Sequence, residues 1–253
     1  MIQPGVYFSL DAPFVRIIGL FSNALEDPGV ISSEKGTWGN VPDLQLSFLT
    51  AQLRRIRTET YAGAVLIAVH HPPFSYAPPK AVVGGKHVGS WAMLEDIDTV
   101  CKAEGVYPHA FLSGHAHNYQ RYTRSLVFGG SSISVPFIVC GDGGHNVSSL
   151  TRAGSGKPPA EPANGADVSY MDASPVVERK GLVLDAHDQG NFGYLRVAAD
   201  RATLTISFVP VTPNKTGGDT VTVDLASHSV RTPPARTAKR SVRNQPGHPA
   251  GHP

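Results

Sequence analysis

Two histidine clusters, Val69-His70-His71-Pro72-Pro73 and Ser113-Gly114-His115-Ala116-His117-Asn118, stand where short apolar runs end. Imidazoles grouped in this way suit a divalent metal ion. The runs before them, Ala64 to Val69 and Ala110 to Leu112, are bounded by turn residues and read as buried parallel strands. Open α/β sheets hold their ligands at the carboxyl ends of such strands. If residues 115–117 are extended, side chains two apart face the same way, with backbones about 6.5–7 Å apart. His115 and His117 would then reach different ions of a pair about 3.5–4 Å apart, the separation used in phosphate chemistry. Gly114 is expected to allow a close backbone approach. His71 is expected to point away from His70, because successive strand side chains oppose, and so to support the site rather than bind. Taken alone, each of these histidines could equally cap a strand end or fill a core.

The elements that must carry these clusters follow an alternating order. Residues 6–10 and 14–21 read as neighbouring strands, and 24–40 as a loop over the site. Pro42 opens a helix to about Thr60 with Leu46, Leu49, Leu53 and Ile56 on one face. Ser90 is a candidate N-cap for a second helix to about Glu104, with Trp91, Leu94, Ile97 and Cys101 inward. Strand 109–113, a hairpin-like stretch 119–128 and strand 136–140 follow. Strands near 181–184, 193–199, 202–211 and 219–225 read as one antiparallel set, which leaves Asp185, His187 and Asp188 as loop residues. Residues 151–166 read as a long loop.

Two further histidines lie on loops. His87 sits in Gly84-Gly85-Lys86-His87-Val88-Gly89, before the second helix. His145 follows Cys140-Gly141-Asp142-Gly143-Gly144, a turn whose backbone N–H groups are able to face an anion or to serve only as turn chemistry. Cys101 and Cys140 read as lone buried thiols.

The Val-His-His-Pro-Pro-Phe and Gly-His-Ala-His-Asn-Tyr-Gln-Arg stretches resemble the later metal-ligand blocks of the calcineurin-like metallophosphoesterases, in particular the purple-acid-phosphatase-like branch. Tyr7-Phe8-Ser9-Leu10, Gln45 with Phe48-Leu49, and Gly193-Tyr194-Leu195-Arg196-Val197 extend the resemblance over most of residues 6 to 210. It implies the family's α/β sandwich of two mixed sheets flanked by helices, and a phosphomonoesterase-like hydrolase acting on a phosphoester through two ions of Fe, Zn or Mn. In that scheme His70 and His115 bind one ion and His117 the other. His71 and Asn118 support them, His87 protonates the leaving group or holds the phosphate, and His145 touches substrate. The family's setting implies a secreted or periplasmic enzyme.

The family's earlier blocks, Asp-x-His, Gly-Asp-x-x-Asp and Gly-Asn-His-Asp/Glu, do not occur ahead of the histidine clusters. They carry the bridging aspartate and most ligands of the second ion. The expectation is therefore an N-terminally truncated sandwich over residues 1–226, the C-terminal portion of a metallophosphoesterase domain, with weak or no activity of its own. A non-catalytic metal-binding or inactive fragment is the alternative. Residues 227–253 read as a disordered basic, Pro-rich tail, without the apolar period needed to offset its ordering entropy.

Composition narrows the partners. Of 253 residues 41% are hydrophobic, enough for a core. A net charge of +2 makes nucleic acid a poor default partner. No apolar run approaches the ~18 residues of a membrane span, and no signal peptide pattern is visible at the start. No Gly-x-Ser-x-Gly elbow points to a serine hydrolase.

Overall fold

A computed structural model describes residues 1–25, 29–75, 89–144, 146–148, 150, 166–167, 173–174, 181–212 and 218–231. Its strands are β1 (Phe8–Ala12), β2 (Val15–Leu20), β3 (Ala64–Val69), β4 (Gly89–Ser90), β5 (Ala110–Ser113), β6 (Tyr119–Phe128), β7 (Ser131–Cys140), β8 (Ala166–Asp167), β9 (Ala173–Ser174), β10 (Leu182–Asp188), β11 (Gly193–Ala199), β12 (Thr203–Pro210), β13 (Asp219–Asp224) and β14 (Ser229–Val230). The helices are α1 (Leu44–Thr58) and α2 (Trp91–Glu104). Neither is long and apolar enough to cross a membrane.

One mixed sheet of eight strands runs β1-β2-β3-β5-β7-β6-β10-β8. Its centre is parallel: β2 pairs with β3, β3 with β5, and β5 with β7 in the same direction. The carboxyl ends of four strands therefore share one edge. Side-chain alternation splits the sheet's two faces. Val65, Ile67 and Val69 pack with α1 and α2, whereas Ala64 and Leu66 pack with Leu204, Ile206, Phe208, Val221 and Val223 of a second sheet. That second sheet, β11-β12-β13-β14, is antiparallel throughout. The layers are thus helices, mixed sheet, antiparallel sheet. The expected α/β sandwich is present, with its second sheet antiparallel among the described residues, and both described helices lie on one face.

Other expectations shift for identifiable reasons. The strand near 181–184 continues to Asp188 and joins β6 in the large sheet, not the antiparallel set, so Asp185, His187 and Asp188 are strand residues. Polar composition hid this strand. Arg121 explains part of it, since its guanidinium donates to Asp185 at 3.0 Å and to Asp219 of β13 at 2.5 Å, tying the two sheets together. Strand β7 begins five residues earlier than expected, at Ser131. Gly129 and Gly130, with φ of 57° and 83°, close a two-residue hairpin turn that needs positive φ at both positions. In α1, Gln45, Phe48 and Gln52 face inward with Leu49, Leu53 and Ile56, while Leu46 is only partly buried. Ser90 occupies the N-cap position of α2 but makes no side-chain cap bond. Paired structure extends past residue 227, since β14 pairs with β13. Residues 232–253 lie outside the described residues. Both cysteines are free thiols.

Candidate metal centre

The four parallel strands end at Leu20, Val69, Ser113 and Cys140, and just beyond them come Ser22, His70 with His71, His115, and Asp142. One ring nitrogen from each of His70, His71 and His115 lies within 4.8 Å of the other two. His70 is exposed, His71 buried and His115 half-buried, so the group opens to solvent on one side. The rings are 5.0 Å apart for His70 and His71, 5.2 Å for His70 and His115, and 4.1 Å for His71 and His115. A tetrahedral zinc with Zn–N of about 2.0–2.1 Å sets neighbouring nitrogens roughly 3.4 Å apart. Three imidazoles plus an open position is a donor set that zinc and similar ions accept.

The geometry departs from the extended-strand expectation at two places. Strand β3 ends at Val69, so the alternation that would turn His71 away no longer applies, and its ring joins His70 and His115. Strand β5 likewise ends at Ser113. Residues 114–118 form two consecutive tight turns, with Ala116 N–H donating to Gly114 O and Asn118 N–H to Ala116 O, each at 2.8 Å. His115 at the first turn has φ of 64°, the rare left-handed conformation for a residue with a Cβ. Such a conformation costs about 1–3 kcal/mol and persists where the surroundings over-determine it. His117 is half-buried and stands outside the three-histidine group.

Each ligand candidate is held from behind. The Oγ of Ser22 lies 2.8 Å from His71 Nδ1 and accepts the His71 backbone N–H at 3.0 Å. Phe21, the residue before it, is gripped by Gln45, whose Oε1 accepts its N–H and whose Nε2 donates to its carbonyl, both at 2.8 Å. Helix α1 thereby fixes where β2 delivers Ser22. Gly114 N–H donates to His70 O at 3.0 Å and joins the two clusters. A Cβ on Gly114 would meet nothing nearer than 3.8 Å, so the expected close approach is not at this glycine. It is at Gly29 and Gly141, where a Cβ would lie 2.2 Å from the His71 ring and 2.1 Å from Ala116 O.

Gly29→Ala is accordingly expected to lower stability by about 3 kcal/mol or more, since it adds a clash to a residue at φ of 87°. Urea unfolding measures the loss; an unchanged midpoint would show that His71 is not confined as described.

Asn118 is 1% exposed and accepts from Gln120 through Oδ1 at 2.7 Å while its Nδ2 donates to Ser148 O at 3.1 Å. Asp142 is fully buried, and burial pushes its carboxyl above the usual carboxylate range. It accepts a long bond from Cys140 Sγ at 3.3 Å. Sequence reasoning passed over Ser22 and Gln45's grip on Phe21; the only available signal was a small hydroxyl at the end of a predicted strand. His87 and His145 lie outside the described residues.

No family model matches the chain, and no curated protein does. A solved structure described as "Structure of PhoD" resembles it with a TM-score of 0.51 at 12% identity, covering 90% of this chain and 43% of that one. The chain thus spans less than half the length of that structure. The likeness carries the fold alone, an α/β sandwich of the kind that structure has.

Proposed function

We propose that this chain provides the histidine part of a metal-dependent phosphoester hydrolase, with His70, His71 and His115 as the ligands of one ion. The observation that carries the reading is the convergence of three imidazoles at the ligand-binding edge of this fold. A bound Zn, Mn or Fe ion would supply Lewis acidity toward a phosphoryl oxygen and acidify water. The chain's own residues orient and confine. Ser22 and Gly29 fix the His71 ring, and the tight turn at 115 presents its imidazole to the other two. In the fuller version of this reading His117 serves a second ion, Asn118 steadies the turn, and His87 and His145 reach the phosphate from their loops. A phosphomonoester is the substrate that version implies.

No carboxylate joins the three-histidine group among the described residues. That favours a second reading, a metal-binding module without catalysis. Two measurements separate them. The zinc-loaded chain is expected to bind inorganic phosphate, detected by titration calorimetry, and to hydrolyse an aryl phosphate negligibly. Zinc uptake without phosphate binding would leave only the metal-binding module. Robust turnover by the chain would show that the ligand set is complete and includes residues outside this group.

A further inference from the structure

Three polar side chains interrupt the apolar face that β6 turns toward the helices. Asn118, Gln120 and Tyr122 alternate along the chain at and into β6, so they share a face, and they are 1%, 0% and 0% exposed. Buried polar groups are costly unless paired, and these are paired in series. The Tyr122 hydroxyl donates to Gln120 Oε1, Gln120 Nε2 donates to Asn118 Oδ1 at 2.7 Å, and Asn118 Nδ2 donates to Ser148 O at 3.1 Å. The direction is fixed, because Oε1 carries no proton and the tyrosine hydroxyl must give its own. From Ser148 the series returns to the histidines. Its N–H donates to His117 O at 2.7 Å, while Gly141 N–H donates to Asn118 O at 3.2 Å. The far end is anchored by Tyr122, whose ring meets Phe74 edge-on at 5.1 Å. Phe74 belongs to the segment that leaves His70 and His71, so the series also meets the chain just past the first cluster.

We propose that Gln120 and Tyr122 are positioning residues: their hydrogen-bond series fixes the Asn118 amide and thereby holds the two tight turns that present His115. Apolar residues would fill the same positions without needing partners, and the turn that the series grips contains the left-handed His115. The metal arm of the test rests on the function proposed above, and the exchange arm does not.

The test uses Gln120→Met, which keeps length and removes both bonds, and Tyr122→Phe, which removes only the first donor. Hydrogen exchange is read at the amides of Ala116, Asn118 and Ser148, with Ile67 in β3 as reference. Gln120→Met is expected to speed exchange at the three amides at least about 10-fold with Ile67 unchanged, and to raise the Co2+ dissociation constant about 10–100-fold, the usual effect of losing a supporting partner. Tyr122→Phe should act in the same direction and more weakly. Wild-type exchange at the three amides in Gln120→Met, or acceleration equal to that at Ile67, overturns the proposal. If Gln120→Met fails to fold, Tyr122→Phe decides by the same criterion. A wild-type chain that takes up no Co2+ overturns the metal reading, while the exchange arm still decides the positioning role.

Discussion

His115→Gly is expected to weaken zinc binding by more than about 100-fold while leaving the metal-free fold as stable as before, or more stable by about 1 kcal/mol. The two effects separate because they come from different parts of the residue. Loss of a ligand outweighs loss of a supporting partner, which itself costs 10–100-fold. The backbone, held at φ of 64°, is one that glycine adopts without the strain a Cβ brings. Competition with a chromophoric chelator measures affinity, and urea unfolding without metal measures stability. Affinity close to wild type would remove the cluster as a metal site. A large loss of stability would show that His115 is a packing residue and that its conformation is not held for the imidazole. His71→Ala should also lose affinity, because the structure places that ring in the group. His117→Ala tests the second ion separately: little effect on the first equivalent of zinc is expected.

A strained residue bearing an imidazole, gripped from two sides, is what a preformed ligand site requires. Gln45 and Ser22 secure His71 from the β2 side, and the Asn118 turn secures His115 from the β6 side. His70 alone is exposed, at the open side where an incoming oxygen ligand would enter.

Legibility in the sequence followed physical period. The parallel centre was readable because β3 is an uninterrupted apolar run, and α1 and α2 because Leu49, Leu53, Ile56 and Leu94, Ile97, Cys101 recur at helical spacing. Strand β10 was misread because its buried positions alternate with the polar Asp185 and His187, and Asp185 finds its partner Arg121 on β6, far away along the chain. Early β7 was missed because Ser131-Ser132 lacks apolar signal, and only pairing across the Gly129-Gly130 turn reveals it. The histidine types and their location at strand ends were legible, whereas which imidazoles meet was not. The choice between His71 and His117 depends on where β3 and β5 stop and on a left-handed residue, and neither leaves a mark in a single sequence.

Acidification below pH 6.5 is expected to destabilise the fold from the opposite edge of the sheet. His109 precedes β5, and its Nδ1 accepts Val65 N–H at 3.0 Å while its own backbone N–H donates to Val65 O at 2.7 Å. Its ring stacks on His228 at 4.3 Å and 19°, and His228 Nε2 meets Pro108 O at 3.1 Å. This contact fastens the β13–β14 turn to the large sheet. Burial, with a smaller contribution from His228, pushes the His109 pKa down to about 3, and burial lowers His228 as well. The unfolded chain takes up protons near pH 6.5 while the folded chain resists until about pH 3, so stability is full above pH 6.5 and falls through that window. At about 1.4 kcal/mol per pH unit, His109 alone removes roughly 3 kcal/mol by pH 4. Carboxylates held below their usual range lose their contribution only below about pH 4.5. Burial would raise Asp219, but its bonds and charge contact with Arg121 prevail and hold it below the usual range, while Asp142, raised by burial, acts with the opposite sign. Urea midpoints at pH 7.5 and 4.5 test this, with His109→Gln as the non-titrating comparison that keeps an acceptor for Val65. A flat wild-type profile, or an equal slope in His109→Gln, would sink the idea.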